Sequence, residues 1–313
     1  MDTVCDNNAC YSHPDDWSAE FGLLRIGEVR IMNKIIIKKG NWSAGRLVSQ
    51  VLISLCAVIF IVPFFGMLTT SLKPNLEIML QPFSFFGTRL AFENYERAWN
   101  FFPFGRFLFN SIFIGLSTTI LAVLTSSLAA YAFSRIKFRG RDIIFTMYLG
   151  TLMIPQQVTI IPLFLIMRNL GWYDTYYALI IPPAFTAFGT FLMRQFFLTI
   201  PWEIEESGRI DGCSAFGLYA RLIMPMATAG LATLSIFSFI GSWRAYLWPL
   251  VITSSNRIKT LPLGIHMFNG QFGTDWGGMM SAAAIAIIPS FLIFLLFQRY
   301  LVEGISLTGL GGK

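Results

Sequence analysis

The chain has 313 residues, of which 55% are hydrophobic and 13% charged, with a formal net charge of +6 and a mean hydropathy of +0.61. A soluble domain carries about a quarter charged residues, so this composition excludes an ordinary soluble protein and reads as an all-α integral membrane protein. The positive balance does not point to nucleic acid. The basic residues cluster beside apolar runs, as retention of loops on the cytoplasmic side requires.

Residues 1–31 are polar, carry mixed charge and lack the apolar core of a signal peptide. Met32-Asn33-Lys34-Ile35 is a more ordinary start, so 1–31 is expected to be an upstream-start extension or unstructured. Residues 1–44 form the expected polar cytoplasmic segment and 45–313 the expected transmembrane domain. Cys5, Cys10 and His13 supply three potential metal ligands without a fourth, and a disordered leader is preferred to a metal site. Cys56, inside an apolar run, and Cys213 do not resemble a disulfide framework. Lys34, Lys38, Lys39 and Arg46 precede the first apolar run and place the N-terminus in the cytoplasm.

Six runs are long enough to cross a bilayer, which takes about 20 apolar residues in a helix. They are residues 47–72, 107–133, 143–167, 176–198, 227–252 and 281–301. The second loop carries Arg135, Lys137, Arg139 and Arg141 and is assigned to the cytoplasm. The third, 168–175, is short, nearly neutral and external. The fourth holds Arg194, Arg209 and Arg221 and is cytoplasmic, and an even number of spans returns the tail to the cytoplasm. Prolines 63, 155, 162, 182, 183, 249 and 289 fall in or beside these runs and are expected to bend them. The first external loop, 73–106, is aromatic-rich, with Phe83, Phe85, Phe86, Tyr95, Trp99, Phe101 and Phe102. It reads as an interfacial platform or a docking surface. The last, 253–278, holds Gly270, Gln271 and Phe272 in a glycine-punctuated polar stretch suited to protrude toward a soluble partner.

Between the fourth and fifth runs lies a charged island, Glu205-Glu206-Ser207-Gly208-Arg209-Ile210-Asp211-Gly212, followed by Pro225. Its first part is expected to be helical, with Glu205 and Arg209 paired at i,i+4. Gly208 and Gly212, four apart, leave a bare face for another backbone. Asp211-Gly212 should stop the helix with Gly212 in a left-handed position. Ser214 should cap a second helix that ends before Pro225.

The string Pro201-Trp202-Glu203-Ile204-Glu205-Glu206-Ser207-Gly208-Arg209-Ile210-Asp211-Gly212, with Pro225, resembles the EAA loop of ABC-importer permeases, with Ser207 and Gly208 where the family has two alanines. Ser71-Leu72-Lys73-Pro74, Glu93-Asn94-Tyr95, Asn110-Ser111, Ala130-Tyr131-Ala132-Phe133-Ser134-Arg135, Met153-Ile154-Pro155-Gln156-Gln157-Val158, Trp248-Pro249-Leu250 and Thr260-Leu261-Pro262 are similar to the carbohydrate branch. So are Gly273-Thr274-Asp275-Trp276 and Leu296-Phe297-Gln298-Arg299-Tyr300. Each string is weak alone, but their order and spacing together are specific, and they cover nearly everything after about residue 45. The resemblance is to the second membrane subunit of maltose-type importers. It implies six spans in the bacterial cytoplasmic membrane, with the island as a coupling helix seated on a cytoplasmic ATPase. Glu205, Glu206, Ser207, Gly208, Asp211, Gly212 and Pro225 are then the coupling residues. It also implies a homologous second permease subunit, two ATPase subunits and an extracytoplasmic solute-binding protein met by Gly270, Gln271 and Phe272. The tail, 304–313, would lie near the ATPases.

No Gly-x4-Gly-Lys-Ser/Thr phosphate loop occurs, so ATP and magnesium are expected on the partner ATPases and no cofactor, catalytic site or metal on this chain. Near residues 243–249 the chain departs from the family, which has polar, uncharged or acidic residues where Arg244 and Ala245 stand. An arginine inside a span costs about 2.5–3.5 kcal/mol on insertion scales and faces a cavity, a partner or the interface. Two readings stay open: Arg244 snorkels outward or pairs with the sister subunit, or it lines the pathway for an acidic, uronate-containing sugar. Trp243, Tyr246 and Trp248 are candidates to stack on sugar faces or form an interfacial belt, and Gln156 and Gln157 are further pathway candidates. An autonomous ion-coupled carrier is the alternative. It needs ionisable groups near the bilayer midplane, whereas the six runs hold no acidic residue and His13 and His266 fall outside them. An intramembrane enzyme finds no nucleophile–base constellation there.

Overall fold

A computed structural model describes residues 44–310 apart from 82–83 and 271–272. Cys5, Cys10, His13 and Phe83 lie outside the described residues, as does all but the last residue of the expected N-terminal segment.

The chain divides into two compact units at Val62 and Pro63. In the first, the described residues form the leading part of helix α1 (Ala44–Ser71). Its Leu47, Val51, Ile53 and Val58 side chains are all exposed. A helix that is apolar on every face has no side suited to water and belongs in lipid or a large apolar interior.

The second unit opens with the end of α1 and two short helices, α2 (Asn75–Leu80) and α3 (Glu93–Phe101). Then comes α4 (Phe104–Arg135), 32 residues long. There follow α5 (Arg141–Gly150), α6 (Gln156–Asn169), α7 (Tyr176–Ile180), α8 (Ala187–Thr199), α9 (Trp202–Ile210), α10 (Ala215–Leu218) and α11 (Met224–Met226). The last helices are α12 (Thr228–Trp243), α13 (Leu247–Ile252), α14 (Leu261–His266) and α15 (Trp276–Leu310). Among the described residues, β1 (Asn269–Gly270) pairs antiparallel with β2 (Gly273–Thr274).

Among the described residues, three stretches are unbroken helices long and apolar enough to cross a membrane: Leu47–Ser71, Phe104–Arg135 and Trp276–Leu296. The other three runs are broken. Helices α5 and α6 meet at 102°, α7 and α8 at 43°, and the segment ending at Met226 meets α12 at 81°. Pro155 stands at the first break and Pro182-Pro183 at the second, where proline removes a backbone donor and crowds the preceding turn. Pro63, Pro162 and Pro289, by contrast, sit inside continuous helices. The run 227–252 is not one helix either. It stops at Trp243 and resumes at Leu247, leaving Arg244 as the C-cap of α12 rather than a residue within a helix.

Helix α4 is the spine of this unit. Helices α8 and α12 pack on it, α15 packs on α12, and α3 packs on α15. Small residues permit this closeness, as in membrane helix packing generally. A Cβ at Gly189 of α8 would come within 2.5 Å of the Ser126 hydroxyl of α4. The 73–106 loop is not a uniform aromatic platform. Phe102 is buried and stacks with Phe104 and Phe107, whereas Phe85, Phe86, Trp99 and Phe101 are exposed.

The start of α4 is tied to the last long loop. Asn110 Nδ2 donates to the carbonyls of Arg257 at 3.0 Å and Lys259 at 2.8 Å. Its Oδ1 accepts from Tyr176 OH at 2.8 Å, and the Ser111 hydroxyl accepts from Leu261 N–H at 2.8 Å. Nearby, Asp174 adopts φ 56° and its carboxylate accepts from the N–H groups of Ser254 and Ser255 at 2.8 and 3.1 Å.

Candidate functional site

The island between α8 and α12 folds as a helical hairpin. Pro201 opens α9, with Ile200 before it extended, as a residue preceding proline prefers. At the far end Cys213 N–H reaches the Gly208 carbonyl at 2.9 Å and Gly212 N–H the Arg209 carbonyl at 3.0 Å. This is a Schellman closure, and Gly212 supplies its left-handed residue at φ 80°. The Ser214 hydroxyl then accepts from Gly217 N–H at 3.1 Å and caps α10.

Two details differ from expectation. The second helix does not end before Pro225: it widens into a π turn, Tyr219–Ile223, and runs on through α11, which contains Pro225. A wider turn ahead of a proline relieves the clash between its ring and the carbonyl four residues back. Nor is the face of Gly208 free for a partner. A Cβ there would lie 2.6 Å from Leu218 and 2.7 Å from Leu222, so the absent side chain lets the hairpin close on itself.

The hairpin's acidic pair is divided. Glu206 is exposed, with Ser207, Arg209, Asp211 and Gly212, and the apolar Ile210 and Phe216 stand out beside them at 85% and 69% exposure. Glu205 is fully buried and its carboxylate lies 3.1 Å from Arg135 Nε, with Arg209 at 3.8 Å. Arg135 is itself buried, the last residue of α4, and not a free loop charge as the sequence reading has it. Its Nη2 donates to the carbonyls of Phe197 and, at 2.6 Å, Ile200. Those carbonyls lie at the C-terminal end of α8, where Phe197 O also accepts from Ile200 N–H at 3.2 Å. The Trp202 ring lies 5.5 Å from both guanidinium groups. Burial pushes the Glu205 carboxyl above its ordinary pKa, and the charges of Arg135 and Arg209 only partly offset it. The signal that could have found Arg135 is its place at the end of an apolar run, within one turn of Tyr131 and Ser134.

A second feature is a cavity of about 570 Å³ among α4, α6, α12 and α13. Gln156, Arg244, Tyr246 and Trp248 all line it, and so do Thr118 and Thr260. The hydroxyls of both threonines are buried without a hydrogen-bond partner among the described residues. Among the described residues Arg244 has no carboxylate within ion-pair distance. Gln157 and Trp243 do not line the cavity. Trp243 is buried, stacks on Phe239 and donates to the Ala286 carbonyl, so it is core rather than a sugar platform. Trp248 spends its N–H on the Ala178 carbonyl at 2.9 Å. Gly270 is exposed in the β1–β2 hairpin, while Gln271 and Phe272 lie outside the described residues.

Apolar helices bent at prolines thus surround a cavity, and a capped polar hairpin lies between two of them. Residues 122–307, more than half the chain, match the family described as "Binding-protein-dependent transport system inner membrane component". The arabinooligosaccharides transport system permease protein AraQ of Bacillus subtilis is 30% identical over 280 residues, covering 87% of this chain and 98% of that one. The sulfoquinovosyl glycerol transport system permease protein SmoH of Agrobacterium fabrum is 31% identical over 274 residues, covering 87% and 96%. The fold is shared, at a TM-score of 0.74 and 22% identity, with a chain from the crystal structure of a bacterial ABC transporter involved in the import of the acidic polysaccharide alginate; the match covers 84% of this chain and 99% of that one. The chain therefore belongs to the family of binding-protein-dependent transport system inner membrane components.

Proposed function

We propose that this chain is one half of a heterodimeric permease that admits an oligosaccharide delivered by a solute-binding protein, driven by two ATPase subunits on the cytoplasmic side. The bent pairs α5–α6 and α7–α8 each count as one span and the run 227–252 as another, which with the three unbroken helices gives six, with both termini and the α9–α10 hairpin in the cytoplasm. The observation that carries the reading is the hairpin. It is rigidly capped and anchored to α4 and α8, and it presents Glu206, Ile210, Asp211 and Phe216 outward, a mixed apolar and acidic surface for a cleft on an ATPase. ATP and magnesium are held by those partners. Their closure would push α9 and reshape the cavity from the cytoplasmic end, giving alternating access. The hairpin at Gly270 faces the binding protein, and the end of α15 lies near the ATPases. An ion-coupled carrier is not favoured by family membership.

The cavity supports a finer reading, that the sugar is acidic. Arg244, without an ion-pair partner among the described residues, stands on its wall as a guanidinium suited to a carboxylate through two parallel hydrogen bonds. Gln156 supplies a neutral partner for hydroxyls.

Both parts can be tested on the complex reconstituted in proteoliposomes. Glu206→Lys is expected to leave membrane insertion intact and to separate ATP hydrolysis from uptake. Normal uptake per ATP in that variant would remove the coupling role of α9. Arg244→Ala is expected to lower uptake of a uronate oligosaccharide roughly tenfold or more, the loss of about 1.4 kcal/mol or more, and to spare a neutral one. Equal loss for both sugars removes the acidic reading and leaves the importer reading in place.

A further inference from the structure

We propose that Arg135 is the positioning residue through which movement of α9 is passed to α4 and α8. The inference rests on the coupling role given to α9 above. Three elements converge on this one side chain. It ends α4, it holds the α8 terminus through the carbonyls of Phe197 and Ile200, and it meets Glu205 of α9 at 3.1 Å. The two charged side chains are 4% and 0% exposed, so their attraction is only weakly screened and changes steeply with separation.

The contacts differ in kind. The bonds to α8 are aligned and charge-assisted, the strong class. The contact with α9 is close but not aligned: neither carboxylate oxygen of Glu205 nor Nε of Arg135 makes a hydrogen bond. A guanidinium fixed on one side and imperfectly matched on the other registers displacement of the imperfect side. Arg209 cannot do the same for Glu205, because it lies on α9 and moves with it. A second tie, Tyr219 OH to the Ser127 hydroxyl at 2.8 Å, joins the far limb of the hairpin to α4 and contains no charge. Burial holding the Glu205 carboxyl above its ordinary pKa is in keeping with a contact that is not at its optimum.

The test uses the full complex, with its sister permease, ATPases and binding protein, in proteoliposomes. Sugar uptake and binding-protein-stimulated ATP hydrolysis are measured on the same preparation. Arg135→Gln and the double variant Arg135→Gln with Glu205→Gln are compared with the unmodified protein. The double variant leaves no uncompensated buried charge and serves if the single one fails to assemble. A positioning role predicts that uptake per ATP falls roughly fivefold or more, the lower end of measured coupling factors, in complexes whose ATPase content and basal hydrolysis are unchanged. A merely structural role predicts that assembly, hydrolysis and uptake fall together with their ratio intact, and that result overturns the proposal. Arg135→Lys keeps the charge but cannot reach two carbonyls and a carboxylate at once, and should recover only part of the ratio. Full recovery would show that charge alone suffices and would also overturn it. Glu206→Lys in the same assay separates the two ideas: if it retains the ratio, α9 is not the coupling element, whatever Arg135 does.

Discussion

The two ends of α4 are held in opposite ways. At its start, Asn110 uses both N–H donors on backbone carbonyls and its oxygen on Tyr176, so every polar group is matched. At its end, Arg135 and Glu205 are both buried, close and charged, yet the carboxylate is left without a hydrogen bond. A saturated neutral network has one geometry and resists displacement. A buried, undersaturated ion pair contributes little net stability but is strongly penalised if one partner is lost. The difference marks the first end as a fixed point and the second as the end built to respond.

The comparison can be broken by substitution at the two ends. Arg135→Ala breaks the buried pair by removing the main charge opposite Glu205 and is expected to lower stability by about 3–5 kcal/mol. Asn110→Ala strands two carbonyls and a hydroxyl of neutral character and is expected to lower it by about 1–3 kcal/mol. Thermal unfolding in detergent ranks them, and a larger loss at Asn110 would reverse the assignment of fixed and responsive ends. Within the hairpin, Gly208→Val forces a side chain against Leu218 and Leu222 and should cost about 1–3 kcal/mol, by the same measurement.

The smallest effect is in pH dependence, and its sign differs between the ends. Glu205 has its pKa raised by burial beyond what Arg135 and Arg209 restore, so the folded state holds that proton more tightly than the unfolded chain. Its contribution is fullest below the ordinary glutamate range and is lost as pH rises through the folded pKa. Asp174 is also pushed up by burial, but its bonds from Ser254 and Ser255 outweigh this and hold it low. Its contribution is present above the ordinary aspartate range and is lost as pH falls through the folded pKa. Glu205→Gln and Asp174→Asn should therefore shift a melting-temperature profile between about pH 3 and 7 in opposite senses. Parallel shifts would sink the contrast.

Much of the hairpin was legible because local chemistry fixes it. Gly212 was the residue for a left-handed cap and Ser214 for an N-cap, and both stand there. What was not legible depended on neighbours distant in sequence. Arg135 read as one of four loop charges because only packing reveals that α8 ends beside it, with the Phe197 carbonyl, 62 residues on, in reach of its guanidinium. Trp243 read as a candidate sugar platform because an aromatic beside an arginine has the same letters whether it faces a cavity or the Ala286 carbonyl.

By itself the sequence determined that this is an apolar helical protein with a capped charged hairpin between its fourth and fifth apolar runs, because hydropathy, turn residues and caps act within a few positions of one another. Only the tertiary structure decided which runs break, which of two adjacent glutamates is buried, and which of the candidate residues share a cavity. Those outcomes depend on what packs against each residue across tens to hundreds of positions, and burial sets the energy of a charge far more strongly than its identity does.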